Sequence, residues 1–93
     1  MEIKEKKQLR AKAKVLEPVV RMGKNGLTDA IIKEIKKQLS KRKLIKIKLL
    51  KSVENRKELA KQIADKTGGE LIESVGFVVV LYKRNIYKKQ EQS

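Results

Sequence analysis

The chain has 93 residues, 40% of them hydrophobic and 39% charged, and its 25 Lys plus Arg against 11 Asp plus Glu give a net charge of +14. That length holds one domain with one modest core and excludes two. It contains no cysteine and no histidine, so disulfides, thiolate chemistry, most zinc and iron sites and the commonest acid–base side chain are excluded. No catalytic residue, metal ligand or cofactor is expected.

The charge is uneven. Residues 1–51 hold 17 basic and 5 acidic side chains, residues 52–82 hold 4 and 5, and residues 83–93 hold 4 and 1. A field of this sign calls for a polyanionic partner, nucleic acid before an anionic membrane. The start of the chain lacks the apolar core of a signal peptide, and the longest apolar run, Phe77 to Tyr82, is far too short to span a bilayer. A cytoplasmic protein without a membrane partner is the expectation.

In chain order, Leu9, Ala13 and Leu16 form the apolar stripe of a helix over about residues 4–16. Lys7, Arg10 and Lys14 fall on its far side. Pro18 ends it, and Pro18 to Met22 reads as a short strand. Gly23-Lys24-Asn25-Gly26 follows, and then Leu27, Ile31, Ile35 and Leu39 recur every four residues, the mark of a second helix. Thr28 is its expected N-cap, with Asp29 complementing the positive end of the helix dipole.

Lys41-Arg42-Lys43 closes this helix. In the strand Leu44 to Leu50, Ile45, Ile47 and Leu49 face one way while Lys46 and Lys48 face the other, as in a half-exposed strand. Asn55 and Glu58 have capping-box spacing, and Leu59, Ala60, Ile63 and Ala64 share a face of the helix they open. Gly68-Gly69 is expected to stop it. Leu71 to Ser74 and Phe77 to Tyr82 are the last two strands, with a tight turn at Val75-Gly76. Both faces of the final strand are apolar, so either the first helix covers one of them or a partner does.

The expected fold class is therefore α/β: a two-layer α-β-α-β-α-β-β domain with a mixed four-stranded sheet. Strand–helix–strand connections favour parallel pairing, and the final hairpin adds an antiparallel strand. The domain occupies residues 1–84, and 85–93 form a flexible basic tail.

The Gly-x-x-Gly loop is the candidate site. Glycines admit close approach of a sugar-phosphate backbone and tolerate positive φ, and the first amides of the next helix point at an anion. Lys24 adds a cation, and Asn25 a donor and an acceptor. Loops of this pattern clamp backbone nucleotides in KH domains. With only three aromatics, Phe77, Tyr82 and Tyr87, the chain cannot read single strands by stacking on a sheet. Recognition of phosphates and of RNA shape is expected instead.

The run Leu16-Glu17-Pro18-Val19-Val20-Arg21-Met22-Gly23-Lys24-Asn25-Gly26-Leu27-Thr28-Asp29 resembles the signature of the YhbY-like CRM domain family, named for chloroplast RNA splicing and ribosome maturation. Leu44 to Lys48 resembles that family's second strand, and Val75 to Arg84 its closing strands. Together the three motifs cover about residues 4–84. The resemblance implies a fold similar to the C-terminal domain of translation initiation factor three, preceded by a helix. It also implies binding of structured RNA through the loop, with ribosomal RNA of large-subunit precursors as the partner. Carried over residue by residue, the RNA-binding set is Gly23, Lys24, Asn25 and Gly26, flanked by Arg21 and extended by Lys46 and Lys48. Lys7, Arg10, Lys14 and Arg84 lie further out. The rival readings are an Alba-like architectural protein binding DNA or RNA, and a permanent ribosomal component. Catalysis is not expected, and a monomer is the default.

Overall fold

Seven elements form in the expected order in a computed structural model that describes residues 3–23, 26–51 and 54–83. They are α1 (Ile3–Ala13), β1 (Val20–Arg21), α2 (Asp29–Arg42), β2 (Leu44–Lys48), α3 (Arg56–Thr67), β3 (Gly69–Val75) and β4 (Val78–Lys83). The strands make one mixed sheet in the order β1-β2-β4-β3. β1 runs parallel to β2, while β4 is antiparallel to both β2 and β3. The crossover through α3 therefore leaves β2 and β3 pointing the same way but not paired, because β4 lies between them. The doubly apolar pattern of β4 reflects helices on both sides of it, α2 and α3 over Val79 and Leu81 and α1 over Val80.

α2 and α3 cover one face of the sheet. Ile35 and Leu39 of α2 and Ala60, Ile63 and Ala64 of α3 pack against Val20, Ile45, Ile47, Leu49, Val79 and Leu81. On the opposite face α1 sets Ala13 against Val80 and Ile72, with Leu9, Leu16, Leu44, Val78 and Tyr82 around them. The first helix is thus what covers the outer side of β4, and Tyr82 is a packing residue. α1 ends at Ala13, shorter than the periodicity suggests. Leu16 still packs in the outer cluster, but it reaches there from a turn in which its N–H donates to the Ala13 carbonyl at 3.0 Å. The chain needs Lys14 to Val19 as a non-helical crossing from the outer face to the sheet edge, where Val19 N–H donates to the Lys46 carbonyl.

The helix ends follow their sequence signals unevenly. Thr28 caps α2, its Oγ1 accepting from Ile31 N–H at 3.2 Å. Asn55 occupies the N-cap position of α3 but its side chain makes no capping bond, so the capping box is not built. Its ψ of 67° departs from the extended geometry that aims an N-cap side chain at the helix amides. Gly68, at φ +77°, caps the far end.

Gly69 is the first residue of β3 rather than part of the helix stop, and it serves packing. A Cβ there would lie 3.1 Å from Leu39 Cδ1 and 3.6 Å from Leu81 Cβ. The missing side chain lets α2 sit close to the sheet. Gly69→Val should therefore destabilise the fold by about 1–3 kcal/mol, the usual cost of overpacking a filled core. Urea denaturation would measure this, and an unchanged midpoint would mean that Leu39 has room to move.

Candidate nucleic-acid interface

The polypeptide enters the loop from a firmly held strand. Arg21 stands beside Lys48 in the parallel register, and the next residue, Met22, donates its N–H to the Lys48 carbonyl at 2.9 Å. Gly26 closes the loop by donating its N–H to the Gly23 carbonyl at 3.1 Å. Lys24 and Asn25, between the two glycines, lie outside the described residues. The glycines differ in what the fold asks of them. Gly26 has φ +73°, a conformation that favours glycine. Gly23 is exposed, and a Cβ on it would meet nothing within 4 Å beyond its chain neighbours. Among the described residues nothing in the packing requires Gly23 to lack a side chain.

Residues beside the loop share one face of the sheet. Along a strand alternate side chains take opposite faces. Ile45 and Ile47 are buried against the helices, so Lys46 and Lys48 face outward, and Arg21 faces outward because Val20 is in the core. Arg21 and Lys48 are exposed. Lys46 is half-buried, at the floor of a groove between α1 and the sheet that Arg10, Lys14, Glu73, Val75 and Val78 also line. The sequence alternation puts Lys46 on the exposed side of the strand. The packing of α1 across the sheet, which the strand pattern cannot show, makes it a groove residue.

Arg10 departs from its expected place on the far side of α1. Its Nε lies 4.0 Å from Glu73 Oε1, and both side chains are about one third exposed. The cause is a bulge in β3. Leu71 pairs with Leu81 and Glu73 with Val80, so Ile72 is the extra residue and Glu73 is turned to the outer face. This pair sets a carboxylate beside the guanidinium, at ion-pair rather than hydrogen-bond distance. Lys14 is exposed at the end of α1 and lines the groove. Lys7 is exposed about two turns earlier and does not line it. Arg84 lies outside the described residues.

The structure thus brings Arg21, Lys46, Lys48 and Lys14 onto one side of the molecule, with the glycine loop at the end where β1 and β2 terminate. The β3–β4 turn is at the same end, since Leu49 N–H donates to the Phe77 carbonyl at 2.7 Å. There Arg56 lies 4.3 Å above the Phe77 ring, a cation–π contact that spacing along the sequence does not reveal. The neighbouring groove at the start of α3 mixes Arg56 and Lys57 with Glu54 and Glu58, so the basic surface ends before it.

Sequence reading missed one set of cations. Lys33, Lys36, Lys37 and Lys41 are all exposed on α2, and none pairs with a carboxylate among the described residues. The repeat of Lys33, Lys37 and Lys41 at every fourth position was the signal available. Among the described residues no group of three or more His, Cys, Asp or Glu could hold a metal ion, and no helix is long and apolar enough to cross a membrane.

Comparison with known proteins identifies the family. The family model for the CRS1 / YhbY (CRM) domain matches residues 1–83. The chain is 42% identical over 90 residues to the Methanocaldococcus jannaschii protein named probable RNA-binding protein MJ0652, covering 92% of this chain and 66% of that one. It therefore spans just under two thirds of that relative's length. To the Bacillus subtilis protein named probable RNA-binding protein YqeI it is 36% identical over 88 residues, covering 94% and 92% of the two chains. The solution structure of SAV1595 from Staphylococcus aureus, a hypothetical protein described as a candidate RNA-binding protein, matches with a TM-score of 0.78. Its sequence identity is 34%, over 88% of this chain and 86% of that one.

Proposed function

This chain belongs to the CRS1 / YhbY (CRM) domain family, and from that premise we propose that it is a non-catalytic RNA-binding protein that docks on structured RNA. The names of its relatives in two bacteria and an archaeon support RNA as the partner. The finer reading is that Gly23–Gly26, with Arg21, Lys46, Lys48 and Lys14, holds the phosphate backbone of ribosomal RNA in large-subunit precursors. The protein would do so as a cytoplasmic monomer.

One observation carries the placement at the loop. Gly23 has open space where a side chain would be and no positive φ, so among the described residues no packing calls for a glycine there. A partner backbone that must come close does. Arg21 and Lys48 stand in register immediately before this point, so phosphates lying across β1 and β2 lead directly to it. Backbone contacts of this kind set position and register more than sequence, which fits a surface of lysines and glycines without fully exposed aromatics among the described residues.

Gly23→Leu tests the placement without the confusion of unfolding. The variant should keep its stability within about 1 kcal/mol, since the backbone there is compatible with a side chain. It should also lose at least tenfold in affinity for an rRNA fragment. A combined Lys24→Asp, Asn25→Asp variant should lose as much, with duplex DNA of equal length a poor competitor for the wild type. Undiminished RNA binding by both variants would remove the loop from the site. Equal affinity for DNA would favour the architectural, Alba-like reading.

A further inference from the structure

We propose that the outward face of α2 is a second RNA-docking surface, so that one chain joins two RNA segments. The inference rests on the RNA-binding reading above and adds a partner surface that lies on the other side of the sheet. Ile35 and Leu39 bury one side of α2 against β1, β2 and β4. Lys33, Lys36, Lys37, Ser40 and Lys41 are exposed on the other. Lys33, Lys37 and Lys41 stand one above the next along about 12 Å of helix, at 1.5 Å per residue. Lys41, in the last turn, suits the negative end of the helix dipole, but like charges four residues apart oppose helix formation, so helix stability does not account for Lys33 and Lys37.

The nearest acid on the helix does not relieve it. Glu34 Oε2 accepts from Gln38 Nε2 at 2.8 Å, and Gln38 Oε1 accepts from Arg42 Nε at 3.0 Å. This chain of bonds runs along the flank of α2 and commits the carboxylate away from the lysines. The other acid, Asp29, stands at the helix N-terminus, with no ion pair to Lys33. α3 shows what an ordinary solvated helix looks like in the same protein. Its exposed residues interleave Lys57, Lys61 and Lys66 with Glu58 and Asp65.

Position decides how the two basic surfaces are used. Lys46 and Lys14 lie with α1 on one face of the sheet, and α2 packs on the other. The sheet lies between them, and α2 departs from the loop end after Thr28. An RNA helix seated across Arg21, Lys46 and Lys48 leaves the lysine row of α2 facing away from it, open to a second segment. The row presents point charges without aromatic or planar groups, so it should take the phosphates of a helical stem regardless of sequence.

The test uses the full chain with two short RNA hairpins, one labelled with a donor fluorophore and one with an acceptor. Wild type should bring the two together at limiting protein and lose the energy transfer at excess protein, when each hairpin has its own molecule. Lys33→Glu, Lys37→Glu, Lys41→Glu should bind a single hairpin within about threefold of wild type and abolish the transfer. The milder Lys33→Gln, Lys37→Gln, Lys41→Gln should weaken the transfer at least fivefold, guarding against a folding defect. Lys57→Glu, Lys61→Glu, Lys66→Glu makes the same charge change on α3 and should leave the transfer intact. Transfer that survives in both α2 variants, or that the α3 variant abolishes equally, would overturn the proposal. So would a wild type that binds hairpins tightly yet never joins them. A wild type that binds no RNA would instead sink the RNA-binding reading itself.

Discussion

RNA affinity should fall about 500-fold as monovalent salt rises from 50 to 200 mM. If Arg21, Lys24, Lys46, Lys48 and Lys14 each neutralise one phosphate of a helical stem, the logarithm of affinity declines by about 4.5 per log unit of salt, at about 0.9 per phosphate. A fourfold rise in salt then removes about 2.7 log units. Fluorescence anisotropy titrations at four salt concentrations would give the slope. Arg21→Ala with Lys48→Ala should lower it by about 1.8, because those two cations are exposed and adjacent in the register. Arg10→Ala should leave it unchanged, since Arg10 already faces Glu73. A slope near zero in the wild type would mean that binding does not rest on phosphates, and the whole basic surface would lose its assignment.

Ile47→Ala should remove about 3 kcal/mol of stability and lower the melting temperature by roughly 12–24 °C. Ile47 has no exposed surface and sits in β2, with Val20 beside it on one strand and Val79 on the other. A methyl in its place leaves a void beneath α2 and α3 that the sheet cannot close without breaking its register. In a domain of this size such a loss is a large part of the total stability. Thermal melts followed by circular dichroism would measure it. A change under about 1 kcal/mol would mean that the main core repacks around the void, contrary to the close packing expected of interiors. The same variant bears on function, because β2 carries Lys46 and Lys48 on its other face.

The two variants expose how differently the core and the site could be read in advance. Alternation in Leu44 to Leu50 assigned Ile45, Ile47 and Leu49 inward and the lysines outward, because a strand has only two sides. The four-residue repeat of α2 and the Thr28 cap were equally local and equally legible. Asn55 shows the limit of such signals: its spacing to Glu58 is right, but the backbone at the cap does not aim the side chain. Gly69 shows another, since a glycine after a helix reads as a stop, and only the approach of Leu39 reveals it as a packing position.

For the surface, the sequence by itself determined the sign of the charge, its concentration in the first half, and the loop that ends in Gly26. These depend on composition and on neighbours in the chain. Tertiary structure alone decided that β4 lies between β2 and β3, that α1 closes over Val80, and that Lys46 lies in a groove. It also decided that the β3 bulge turns Glu73 toward Arg10, and that the lysines of α2 stand on the side of the sheet away from the loop's other cations. Each of these depends on pairing between residues far apart in sequence. Local periodicity says which side of an element is buried, but not which other element buries it.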